Sequence, residues 1–213
     1  MFIDTAGVRR KSKVTDSIEK FSIMRTLLAI ERADVCLMMI DALEGVTEQD
    51  AKIAGEAHEA GKAIIIVINK WDEYPKETGT LEKYKKEVYS KLAYMTYAPM
   101  IFISAKTGQR VNKLFEMINE VEKQNMTRVS TSVLNQVINE AIAICQPPTD
   151  KGKRLKILYV TQASVKPPTF IVFVNDKQLF HFSYQRYLVN QIRKEFGLQG
   201  TPIRIITREK VEK

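Results

Sequence analysis

The chain has 213 residues, 45% of them apolar and 27% charged, the balance of a globular protein with room for one large domain or two modest ones. Two cysteines exclude a disulfide framework and no apolar run approaches the roughly 20 residues of a membrane span. No signal-peptide pattern opens the chain, so a cytoplasmic protein is expected, with no membrane partner. The net charge of +8 lies entirely in residues 128–213, which carry 14 Lys/Arg against 6 Asp/Glu, whereas residues 1–127 balance at 19 of each. A basic C-terminal module of this kind suits contact with nucleic acid.

The chain opens on "MFIDTAGVRRKSK", an apolar strand end followed by Asp4-Thr5-Ala6-Gly7. Residues 15–32 place Ile18, Phe21, Met24, Leu27 and Leu28 at helical spacing. "DVCLMMID" (34–41) is a short apolar run that predicts a strand buried on both faces. Thr47 and Asp50 form a capping pair for a helix running to about Ala60. "AIIIVIN" (63–69) is almost wholly β-branched and predicts a second buried strand. A helix over about 81–94, a strand "MIFIS" (100–104) and a helix from about Val111 to Lys123 follow. Regular alternation of this kind means a parallel sheet with helices on both faces, with ligands at the strand ends.

Near residue 128 the pattern changes. A Ser/Thr-led amphipathic helix (130–146) precedes a loop, "PPTDKGKR". Strands over 155–162 and 169–175, a helix over 184–196 closed by Gly197, and a strand over 202–207 complete a small α+β module. The expected domains are therefore 1–127 and 128–213.

Three short motifs sit at strand ends. In "NKWD" (69–72), the Asp72 carboxylate can accept two hydrogen bonds from the ring N–H and exocyclic amine of guanine, a donor pair adenine lacks. Asn69 can bond the base and tie neighbouring loops, and the Lys70 stem can lie along the base plane. In "SAK" (104–106), the Ala105 N–H can reach the guanine carbonyl, with Ser104 and Lys106 bracing the loop. In "DTAG", Asp4 can hold Mg²⁺ through water and the Gly7 N–H can donate to a γ-phosphate, with Thr5 and Ala6 between them. Each motif alone is short enough to arise by chance. Together, in this order on successive strands, they form the layout of a translation-factor-like GTPase. Trp71, at the variable position of its motif, is expected to be partly exposed beside the base.

The longer wording narrows this. "DTAGVRRKSKV", "IEKFSIMRTLLAIERADVCLMMIDALEGVTEQD" and "VINKWD" closely resemble the second GTP-binding domain of the Der/EngA family, and "FSYQRYLVNQIRKEFGLQGTPIRI" resembles that family's C-terminal KH-like domain. Those are bacterial ribosome-assembly GTPases with two tandem G domains. The resemblance covers the whole chain. It implies GTP/GDP and Mg²⁺ as ligands, GTP hydrolysis, action on the large ribosomal subunit and its rRNA, and an N-terminal G domain as intramolecular partner. Val8 stands where many GTPases place a water-positioning Gln; the family shares this apolar replacement, and related GTPases recruit K⁺ at the phosphate loop. "VRRKSK" would belong to the second switch.

The sequence contains no GxxxxGK[ST] loop. "GEAHEAGKA" (55–63) has five residues between its glycines, Ala63 in place of Ser or Thr, and a helix-to-strand context, the reverse of the one required. The expectation is the C-terminal part of a longer protein, with an incomplete P-loop GTPase-type sheet, an open strand edge, marginal stability, and no activity in isolation. "GLQG" (197–200) matches the KH clamp but lies between a helix and a strand, and the helix–helix join near 180–185 has no glycine. Lys151, Lys153, Arg154, Lys156, Arg186, Arg193 and Lys194 remain candidates for rRNA phosphates. Tyr184 and Tyr187 flank Arg186 and fit ordinary helix packing. No zinc spacing links His58 or His181 to a cysteine. Two readings of different classes follow: a ribosome-assembly GTPase represented by its C-terminal portion, or a non-enzymatic scaffold acting through its basic module.

Overall fold

The computed structural model describes residue 3 and residues 16–150 and 152–210. Asp4, Thr5, Ala6, Gly7, Val8 and Lys151 lie outside the described residues, and so do the side chains of Ile18 and Phe21. The chain divides into two compact units, Met1–Glu122 and Lys123–Lys213.

In the first unit, α1 (Asp16–Arg32), β1 (Val35–Asp41), α2 (Glu48–Glu59), β2 (Ala63–Asn69), α3 (Thr80–Lys91), a 3-10 turn (Ala93–Met95), β3 (Met100–Phe102) and α4 (Val111–Asn125) follow one another. The strands form a parallel sheet in the order β1-β2-β3. β2 is central, and its alternation divides the core. Ile64, Ile66 and Ile68 join Met38, Ile40 and Phe102 on one face, beneath Ile30 of α1, Ala54 and Ala57 of α2, and Tyr84 and Val88 of α3. Ala63, Ile65 and Val67 join Ile101 and Ile103 on the other, beneath Leu114, Met117, Ile118 and Val121, the inward stripe of α4. A continuous β-branched run is what a strand buried on both faces requires.

β1 departs from the expectation. Only Met38 and Ile40 are buried, while Met39, on the face that α4 covers farther along the sheet, is 47% exposed. Among the described residues the strand pairs with β2 alone, which matches the open edge expected there; the departure is in the burial of its second face. The stripe expected on α1 is also turned: Met24, Leu27 and Leu28 are exposed, whereas Thr26 and Ile30 are buried, an i, i+4 pair on a different face.

Thr47 caps α2 as its sequence foretells. Its hydroxyl accepts the Asp50 N–H at 3.2 Å and the Asp50 carboxylate accepts the Thr47 N–H at 2.9 Å, a reciprocal capping box.

The second unit carries α5 (Thr131–Ile144), β6 (Ile157–Ser164), β7 (Thr169–Val174), a 3-10 turn (Lys177–Leu179), α6 (Phe182–Phe196) and β8 (Arg204–Glu209). "PPTDKGKR" is not a plain loop; it contains a two-residue hairpin, β4 (Thr149–Asp150) with β5 (Lys153–Arg154), turning through Gly152 at φ 77°. The sheet runs β6-β7-β8, with β7 antiparallel to β6 and parallel to β8. Leu134, Ile138 and Ala141 of α5 meet Leu188 and Ile192 of α6 over Val160, Phe170, Val172 and Val174, which makes a single-sided core. Asn135 of α5 seals part of the β6 edge: its side-chain amide donates to the Val160 carbonyl and accepts the Val160 N–H, each at 2.8 Å.

Candidate functional site

The motifs at 69–72 and 104–106 converge where β2 and β3 end. In the sheet register Asp41 stands beside Asn69, and the Ala42 N–H donates to the Asn69 carbonyl at 2.9 Å. On the other side, the Trp71 N–H donates to the Ile103 carbonyl at 3.1 Å. The NKWD loop is thus fastened to the strands flanking β2.

Side chains complete this fastening. Asn69 Oδ1 accepts the Ala105 N–H at 2.9 Å, so one amide joins the two motif loops. Lys70 adopts φ 60°, a left-handed conformation that costs a non-glycine residue about 1–3 kcal/mol. Its ammonium lies 2.6 Å from Asp41 Oδ2. The hydrogen bond from Lys70 holds the Asp41 carboxyl below its usual range, and Asp41 raises the Lys70 ammonium in return. The pair faces solvent, so its effect is on position more than on stability. Lys106 reaches Glu73 at 3.5 Å.

Asp72 is the unusual group. Its Oδ1 is buried and has no hydrogen-bond partner. The hydrogen bond from Ser104 holds its carboxyl below the ordinary aspartate range, so the group is ionised at neutral pH. Ser104 is itself buried, and its hydroxyl accepts the Thr107 N–H at 3.1 Å. A desolvated carboxylate oxygen without a donor is unfavourable in a bare protein and suits one waiting for a donor from a ligand. Guanine presents two N–H donors on a single edge, and the residues present therefore fit the base. The phosphate and Mg²⁺ end of the expected site, Asp4 to Gly7, lies outside the described residues. Among the described residues no group of three or more His, Cys, Asp or Glu side chains is placed to hold a metal ion.

Trp71 does not lie exposed beside a base. It is 5% exposed, stacked on Tyr74 at 5.0 Å between centroids and packed against Tyr84 and Phe102. Burial pushes the Tyr84 phenol up to about 12, and its hydroxyl donates to the Ala42 carbonyl at 3.2 Å. Asp72 follows this buried ring directly in the chain. Asp41, which fixes Lys70, escaped the sequence reading, although its place at the C-terminal end of a predicted strand was the available signal.

In the second unit, Lys153 and Arg154 lie on the β5 arm and Lys156 just beyond it, all exposed. Arg186 and Lys194 are exposed on α6. Arg193 is engaged internally: its guanidinium donates to the carbonyls of Leu198 and Thr201, which removes it from the free cations of that helix. Those bonds, with the Leu198 N–H donating to Gln124 Oε1 at 2.9 Å, tie "GLQG" into the core between α6 and β8. Tyr184 and Tyr187 donate to the carbonyls of Cys145 and Ala141, so they pack α6 on α5.

Comparison with known proteins agrees with both halves. Residues 19–124 match the family described as "Elongation factor Tu GTP binding domain", and residues 128–208 match "KH-domain-like of EngA bacterial GTPase enzymes, C-terminal". GTPase Der of Ruminiclostridium cellulolyticum is 64% identical over 98% of this chain and 47% of its own length. That of Acetivibrio thermocellus is 63% identical over 99% of the chain and 48% of its own length. The chain spans about half the length of the curated relatives it matches. Among solved structures, an Aquifex aeolicus Era variant bound to GDP.AlF4− aligns over 95% of this chain and 74% of its own, at 20% identity and TM-score 0.45. Era in complex with MgGDPNP and a 16S ribosomal RNA segment aligns over the same shares at 19% identity and TM-score 0.46. A parallel α/β unit of P-loop GTPase type followed by a KH-like unit, with these relatives, places the chain in the Der/EngA family of GTPases.

Proposed function

We propose that the chain is the guanine-recognising and KH-like portion of a GTPase that assists assembly of the large ribosomal subunit in the bacterial cytoplasm, with residues 1–127 as a partial G domain and 128–213 as the KH-like domain. The observation that carries this reading is the buried, partnerless Asp72 Oδ1 beside the Asn69–Ala105 link. Asp72 accepts the donor pair of guanine and discriminates against adenine. Asn69 holds the two loops at one spacing, Lys70 presents its stem from an anchor on Asp41, and Ser104 keeps Asp72 ionised. The Ala105 N–H serves the base carbonyl by sharing or leaving Asn69. Asp4 and Gly7 are assigned to Mg²⁺-bound water and the γ-phosphate, with Thr5 and Ala6 between them in the motif. When bound, GTP with Mg²⁺ supplies the phosphoryl group and the charge neutralisation its transfer needs. Lys151, Lys153, Arg154, Lys156, Arg186 and Lys194 are proposed to meet rRNA phosphates.

Titration of the chain with fluorescent GDP, with unlabelled GDP and ADP as competitors, tests the base reading. Weak binding is expected, displaced by GDP and not by ADP, and lost in Asp72→Asn. Equal displacement by both nucleotides, or an unaffected Asp72→Asn, overturns it. Tight binding with Mg²⁺-dependent turnover overturns the expectation that hydrolysis needs a phosphate loop this sequence does not contain.

A further inference from the structure

The sheet of the second unit has two unlike faces. One lies beneath α5 and α6 and gives Val160, Phe170, Val172 and Val174 to the core. Alternate residues of the same strands point the other way. The register sets Tyr159, Phe173 and Arg208 side by side across β6, β7 and β8, with Thr161, Ile171 and Ile206 in the next row.

The Tyr159 and Phe173 rings stack, 4.1 Å between centroids and 14° from parallel. Lys210 Nζ stands 5.5 Å from the Tyr159 ring centroid. Tyr159 is 37% exposed and Ile206 46%, and Arg204, Arg208 and Lys210 are exposed around them. This pair lies on the face that α5 and α6 leave open, bordered by cations. Glu209, at the end of β8, is the one acidic residue on the three strands. A ring that a flexible ammonium reaches from solvent is one a nucleobase can reach as well.

We infer that this face is a stacking platform for unpaired bases of a single-stranded RNA, with Arg204, Arg208 and Lys210 set against its phosphates. Bases stack on aromatic rings whatever their sequence, and arginine and lysine beside the rings neutralise the backbone. A duplex keeps its bases stacked internally and offers Tyr159 nothing. The platform deepens the ribosomal reading above and rests on it; it uses none of the cations assigned there.

The test is fluorescence anisotropy of the 213-residue chain with labelled oligouridylate, oligoadenylate and an RNA duplex of equal length, together with co-sedimentation with bacterial ribosomal particles. Both single strands are expected to bind more tightly than the duplex. Tyr159→Ala weakens them by about five- to a hundredfold, while Tyr159→Phe binds as the parent does and shows that the fold is intact. Arg208→Ala lowers the slope of log affinity against log salt by about 0.7. Equal binding by Tyr159→Ala, preference for the duplex, or capture of an acidic protein in place of RNA overturns the inference. If the parent sediments with ribosomal particles and Tyr159→Ala does so equally, the inference fails and the ribosomal reading stands. If the parent does not sediment with them, both fail.

Discussion

Asn69 Oδ1 accepts the Ala105 N–H at 2.9 Å, so the loop that follows β2 and the loop that follows β3 are joined by one side chain. Asn69→Ala removes the acceptor and leaves that N–H to water. It is expected to cost about 1 kcal/mol in urea unfolding and to reduce guanine nucleotide binding together with it. Asn69→Asp, which keeps an acceptor, restores most of the stability.

Asp72 should respond to pH in a defined direction. Its carboxyl is held below the ordinary value of 3.8, first by the hydrogen bond from Ser104. Its contribution is therefore present above 3.8 and lost as pH falls through the lower native value. In a carbon-detected NMR titration, Asp72 should titrate below 3.8, and Ser104→Ala should move it upward. A Ser104→Ala variant with an unmoved Asp72 would show that the hydroxyl is not the cause.

The same carboxylate predicts a change of base. Asp72→Asn replaces an acceptor with an amide that can donate, which suits the second ring carbonyl of xanthine. The variant should lose GDP by about 10- to 100-fold and prefer xanthosine diphosphate in competition.

Trp71 is the single tryptophan of the chain and lies in the core of the first unit. Its emission should be blue-shifted in the native protein, change little on addition of GDP, and shift red only as that unit unfolds. Trp71→Ala should cost about 3–5 kcal/mol by cavity formation.

Gln162 is buried in β6, where its side chain accepts the Val129 N–H at 2.7 Å and donates to the Thr127 carbonyl at 2.9 Å. Gln162→Leu keeps the bulk and strands both backbone groups. A loss of about 1–3 kcal/mol in the second unit is expected, with Trp71 emission unchanged.

What the sequence made legible depended on how local the determining physics is. The β2 strand could be read because both its faces are buried, so every letter of "AIIIVIN" agrees. The α2 start could be read because Thr47 and Asp50 satisfy each other within one turn. β1 could not, since an apolar run does not say which face its neighbours will cover; Met39 is exposed because α4 covers the sheet elsewhere. Trp71 was misplaced because its partners Tyr74, Tyr84 and Phe102 come from three separate segments, and a motif's variable position carries no packing information. Of the candidate site, the meeting of the 69–72 and 104–106 loops was legible from their order at the ends of successive strands. The ion pair of Asp41 with Lys70 was not, because it depends on the left-handed turn at Lys70 and on the register of two strands.

Among the described residues β1 is paired on one side only, and this bears on how the chain behaves in bulk. Val35–Asp41 holds no lysine, no proline and no bulge, the devices by which edge strands discourage pairing between molecules. The common net charge of +8, carried by residues 128–213, opposes association of copies. Salt screens that repulsion over a distance of about 10 Å at 0.1 M and 3 Å at 1 M, while leaving main-chain hydrogen bonding between edges intact. Colloidal stability should accordingly fall with rising ionic strength, opposite to the salting-in usual for proteins near their isoelectric point, and dilute buffer is the condition that keeps the chain dispersed.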